Sequence, residues 1–236
     1  MGLDINVLAR PKEGHEAEYE DLWRRYHIAS GAIKPPADER GFLQKLLSPR
    51  KRENAPKLIE RFQQISLPNF VTIAAPVVGQ DTEADEWARQ RFRDGHLKPE
   101  ITSEEEALAA FEGYAAMEAM ADCDGFPHYS NAGQYEGVDR TSFRGQFFDD
   151  VADIVGQDLF NQAWEPMLAP AFAAWGAALR QEADAFAAAN NVEHVLGVKE
   201  LDAAVEGPER QAHIIDQAAR WAAFWSSRQH GSEPYF

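Results

Sequence analysis

The chain has 236 residues, 44% of them hydrophobic and 26% charged, with 6 Trp and 14 Phe; that is enough apolar material for a core and excludes disorder of the whole chain. A formal net charge of −16 opposes nonspecific binding to a phosphate backbone unless a basic patch is set apart from the rest. The single cysteine, Cys123, excludes an intramolecular disulfide, no apolar run has the length of a membrane span, and the first residues hold no signal-peptide core, so the expectation is a soluble, cytoplasmic protein with no membrane or nucleic-acid partner.

In chain order, residues 3–9 alternate in the manner of a strand, and residues 71–78, rich in β-branched side chains, predict a second. Each leads into a helix. The first carries Tyr19, Leu22, Trp23 and Tyr26 on one face; the second opens at Thr82 and carries Trp87 and Phe92. Between them, Pro49 and Pro56 separate two short helices expected over residues 37–47 and 55–65. Ser103 with Glu106 forms a capping box that starts a helix expected to run to about Asp122. Leu168, Phe172, Trp175, Leu179 and Phe186 form a long amphipathic stripe that Asn190 and Asn191 end, and Pro208 opens a last helix with Ile214, Ala218, Trp221 and Trp225 in register. These elements add up to a helix-rich α+β protein with a small sheet that includes the strands near 3–9 and 71–78. One compact domain over residues 1–236 is expected, with 1–98 and 99–236 as the alternative division.

Residues 122–145 break the helical pattern for longer than ordinary connections last. They concentrate His128, Tyr129, Ser130, Asp139, Arg140, Ser142 and Arg144, and Arg140 and Arg144 are the only cations between Lys98 and Arg180. Four residues apart, the two guanidinium groups share a side in a helix or in a strand, and they either neutralise Asp139, Asp149 and Asp150 or clamp one phosphate or carboxylate. The opening Met-Gly-Leu-Asp, together with Asp139-Arg140-Thr141-Ser142-Phe143-Arg144-Gly145, resembles a group of uncharacterised bacterial proteins with the same opening and an Asp-Arg-x-Ser-Phe-Arg-Gly segment. The resemblance brings no reaction with it. It implies that Asp4 and residues 139–145 belong to one structural or functional feature.

Asp149, Asp150 and Asp153 have the form of the Asp-Asp-x-x-Asp motif of class I terpene synthases, a Mg²⁺-holding pattern. The partner motif is missing at the required separation, and the three carboxylates share the solvent face of one predicted helix. Asp122, Cys123, Asp124 and His128 lack the ligand number and spacing of a zinc site. His213, near Asp216, reads as a satisfied or exposed histidine. No phosphate loop, dinucleotide fingerprint or nucleophile elbow is present, and no cofactor or metal is expected. The sequence therefore leads to a binding or accessory protein with a small-anion site in residues 128–144, made by Asp4, His128, Tyr129, Asp139, Arg140, Ser142 and Arg144. The alternatives are an acidic interaction protein of inhibitor or immunity type that docks a basic protein, and a Mg²⁺ enzyme using Asp149, Asp150 and Asp153.

Overall fold

The structure, a computed structural model, describes residues 4–31, 33–34, 55–121, 123–130 and 141–235. It is α+β and helix-rich, built on a small antiparallel sheet, and contacts divide it into two compact units, Met1–Leu8 with Pro68–Phe236, and Ala9–Leu67. The helix expected over residues 37–47 lies outside the described residues, as do Asp139 and Arg140.

In the larger unit, strand β1 (Asp4–Val7) is central in a three-stranded sheet, between β4 (Ser142–Arg144) and β5 (Ser232–Tyr235). Asp4 stands opposite Arg144 and Tyr235, Ile5 opposite Phe143 and Pro234, and Asn6 opposite Ser142 and Glu233. Strand alternation then sorts the side chains. Ile5 and Phe143 are fully buried in the core, while Asp4, Asn6, Ser142, Arg144 and Glu233 occupy the other face.

The strand expected over residues 71–78 does not form. Residues Asn69–Thr72 make a single helical turn, α3, and Val77 contributes only an isolated bridge to Ala115. Local turn chemistry overrides the β-branched run: Pro68 presets the entry, the Asn69 side chain accepts the Phe70 N–H at 2.8 Å, and Ala74 at φ 52° turns the chain away.

Helix α4 (Thr82–Arg93) and helix α5 (Glu104–Ala110) form a satellite cluster in which Trp87 stacks on Tyr114 at 5.3 Å. The Ser103 hydroxyl accepts the Glu106 N–H at 3.2 Å, as a capping box requires. That helix stops at Ala110, well short of Asp122. Gly113 at φ 80° turns the chain back, and Tyr114 and Ala116 bond to Val78 and Pro76 instead. Three short helices follow β4: α6 (Gly145–Asp149), α7 (Ala152–Val155) and α8 (Gln157–Gln162).

The core is the hairpin of α9 (Ala169–Asn190) and α10 (Pro208–Ser226). Phe172, Trp175, Leu179 and Ala183 recur at helical spacing and pack against Ile214, Ile215, Ala218, Trp221, Ala222 and Trp225. All are buried, and each large aliphatic or Phe side chain contributes about 1.5–3 kcal/mol. Asn191 at φ 56° supplies the left-handed cap that ends α9. Among the described residues no helix is long and apolar enough to cross a membrane.

The smaller unit pairs α1 (Glu16–Ser30) with α2 (Ala55–Ile65) and closes with the short strands β2 (Arg10–Pro11) and β3 (Ser66–Leu67). The Tyr19 and Phe62 rings lie 4.5 Å apart, and the Tyr19 hydroxyl donates to the Ala9 carbonyl. Arg61 grips Glu18 through two bonds of 2.7 and 2.8 Å.

Candidate functional site

Tyr129 enters the larger unit at the end of a loop that α10 holds in place. Trp225 donates its indole N–H to the Gly125 carbonyl at 3.2 Å, and the Gln217 side-chain oxygen accepts the His128 N–H at 3.3 Å. The Tyr129 carbonyl accepts the Arg144 N–H at 2.9 Å, which docks the loop on β4. Its ring is buried, 4.8 Å from Phe147 and 6.2 Å from Phe143.

The polar stripe of α10 completes the arrangement. His213, Asp216, Gln217 and Arg220 follow i, i+3, i+4, i+7 spacing and so share one face. That face grips the backbone of residues 197–199. The Val198 carbonyl receives Gln217 Nε2 and His213 Nε2, each at 3.0 Å, together with Arg220 Nη2 at 2.5 Å. The second Gln217 N–H goes to the Lys199 carbonyl at 3.0 Å, and Asp216 Oδ2 accepts the Gly197 N–H at 3.0 Å. Asp216 is fully buried between Arg180 at 2.5 Å and Arg220 at 2.9 Å.

These bonds assign the histidine tautomer. A carbonyl only accepts, so His213 Nε2 carries the hydrogen. Nδ1 is then the acceptor for the Tyr129 O–H, 3.1 Å away. Burial, partly offset by the bond to Val198, pulls His213 below the ordinary histidine range, and burial pushes the Tyr129 phenol up to about 12. Both groups are therefore neutral near pH 7.

Beside this pair lies a cavity of about 230 Å³ lined by His128, Tyr129, Ser130, Phe147, residues 201–203, Val205 and Arg210. Leu201, Ala203 and Val205 form its outer wall, on a turn in which Asp202 Oδ1 accepts the Ala204 N–H at 2.9 Å. Arg210, in the first turn of α10, is half-buried with its guanidinium 5.7 Å from the Phe147 ring centre. It makes no ion pair among the described residues, whereas Arg180 and Arg220 are both engaged by Asp216.

The residues singled out in the sequence therefore fall into two groups. His128 and Tyr129 line the cavity. Asp4, Ser142 and Arg144 lie on the sheet face that looks away from Phe143, with Asp4 directly opposite Arg144. Ser142 is fully buried. Asp149, Asp150 and Asp153 are exposed, Asp149 ending α6, Asp150 in the turn after it and Asp153 in α7, and among the described residues no three His, Cys, Asp or Glu side chains come together as a metal site would require. Sequence reasoning missed Arg210, Gln217 and the 201–205 wall. The spacing of His213, Gln217 and Arg220, alongside the Ile214, Ala218 and Trp221 stripe, was the signal that could have exposed the gripping face.

Comparison with known proteins gives no matching family model, no matching curated protein and no matching solved structure.

Proposed function

We propose that this protein binds a small anionic ligand in the cavity beside Tyr129, and that binding rather than covalent chemistry is its role. One observation carries the reading. Arg210 offers a guanidinium with no carboxylate partner among the described residues, at the edge of a cavity, in a chain of net charge −16. Every acid in so negative a chain competes for a cation, so a half-buried Arg with no ion pair among the described residues is a place kept for an incoming anion.

The chemistry of the cavity floor favours binding over catalysis. A phenol pushed up to about 12 is a poor base at neutral pH, and both ring nitrogens of His213 already have partners. The floor is a rigid support whose hydrogen bonds fix the cavity shape.

A thermal-shift panel of sodium phosphate, sulfate, acetate and benzoate at constant ionic strength tests the reading. At least one anion should raise the melting temperature of the wild-type protein, by about 2–4 °C per kcal/mol of binding linkage. Arg210→Ala should lose that response while its unliganded melting temperature stays close to wild type. Arg144→Ala, which removes a sheet residue opposite Asp4, should keep it and melt earlier without any ligand. An anion response that survives Arg210→Ala unchanged sinks the proposal.

A further inference from the structure

We infer that the anion this cavity accepts is a single-ring aromatic monocarboxylate, of about the size of benzoate; this rests on the reading of Arg210 given above. Size is the first argument. A dry apolar cavity of about 150 Å³ is filled by benzene, so 230 Å³ holds one ring with one substituent. Ligands of drug size need about 300–1,000 Å³.

The walls are the second. Phe147 and Tyr129, with ring centres 4.8 Å apart and planes tilted by 48°, form one side, and Leu201, Ala203 and Val205 face the cavity from the outer turn. A flat apolar body inserted there meets aromatic faces and edges at separations that favour ring contacts over aliphatic ones. An inorganic anion would leave those walls unused.

Charge is the third. Arg210 supplies one full positive charge, but Asp202 also lines the cavity, and Asp150 lies near enough to act on the Tyr129 phenol alongside Arg210. One negative charge balances the guanidinium. A second would face two carboxylates, which disfavours doubly charged phosphate or a dicarboxylate. The Tyr129 O–H is already directed at His213, so the carboxylate is left to the Arg210 fork.

Titration calorimetry on the full chain, with benzoate, acetate, inorganic phosphate, phthalate and benzyl alcohol as probes, decides the matter. Benzoate should bind about tenfold or more tightly than each of the other four. Arg210→Ala should abolish benzoate binding, and Phe147→Ala should reduce it to the level of acetate. Because Phe147 touches the core, Val205→Ser on the outer turn provides a second variant and should weaken benzoate at least threefold with no change for acetate. If acetate or phosphate equals benzoate and still depends on Arg210, the aromatic class falls and the anion site stands. If benzoate binds equally well to Arg210→Ala, the anion site falls too.

Discussion

Asp216 illustrates how much a single buried group constrains this protein. Its carboxylate is fully buried, and it engages Arg180, Arg220 and the Gly197 N–H together. Asp216→Asn keeps the shape and removes the buried charge, leaving as carboxylate partners among the described residues only Asp184 for Arg180, at 3.6 Å, and Asp124 for Arg220, at 3.2 Å, both exposed, so urea denaturation should show a loss of about 3–5 kcal/mol. A loss below about 1 kcal/mol would mean that solvent and the exposed carboxylates of Asp184 and Asp124 satisfy those guanidinium groups. Tyr129 gives a pH signature. Its phenol has an ordinary value of 10.0 and is raised to about 12 in the folded chain, so the stabilising preference for the protonated form is complete below pH 10. It is lost as the pH climbs towards 12, because the unfolded chain releases its proton first. Stability measured from pH 9 to 12 should therefore fall less steeply in Tyr129→Phe than in wild type, and parallel curves would contradict the burial argument. At this scale the sequence was partly legible. His213 read as a satisfied or exposed histidine and is a buried, satisfied one, whereas Arg210 stands in an ordinary helical turn and only the fold shows that it makes no ion pair among the described residues.

Between elements, α9 and α10 approach closely at Gly176. A Cβ built there would lie 2.6 Å from Ala222 Cβ, so Gly176→Ala overpacks the crossing and should cost about 1–3 kcal/mol. Adding Ala222→Gly restores the space. The double variant should be more stable than the sum of the two single changes predicts, by about 0.5–3 kcal/mol in a double-mutant cycle, and strict additivity would show that the helices relax apart. These two helices were legible because each carries a long 3.6-period stripe with a recognisable start or stop. Short elements were not. The 71–78 run lost to the turn at Pro68 and Asn69, and the helix from Glu104 was overextended because Phe111 and Met117 continued its apolar content past Gly113. Strand β5 has little strand propensity in Ser232-Glu233-Pro234-Tyr235. It forms because β1 offers a partner, because Pro234 on an edge strand has no outward N–H to satisfy, and because Gly231 lets the chain pass Met167, whose carbonyl would lie 2.0 Å from a Cβ there.

For the whole molecule the dominant quantity is the net charge of −16. Self-repulsion of that size opposes compaction at low ionic strength, whereas exposed pairs such as Arg61–Glu18 and Arg93–Glu104 are screened by solvent and contribute little. Raising sodium chloride from about 10 mM to 150 mM, where the screening length falls to about 8 Å, should move the urea midpoint upward; a downward shift would show that the exposed pairs outweigh the repulsion. The three-stranded sheet of the larger unit has a different kind of consequence. Its middle strand precedes both neighbours, and β5 comes last of all the described elements; the His230 ring, which bonds the Leu8 carbonyl at 2.8 Å, is 222 residues away. Such pairings carry the loop-closure entropy of nearly the whole chain, and they slow folding far more than the local contacts of the α9–α10 hairpin do. During synthesis β1 therefore has no partner until β4 appears and keeps one open edge while the later helices form, and the chain remains a candidate for chaperone capture until residues 232–235 arrive to close the sheet.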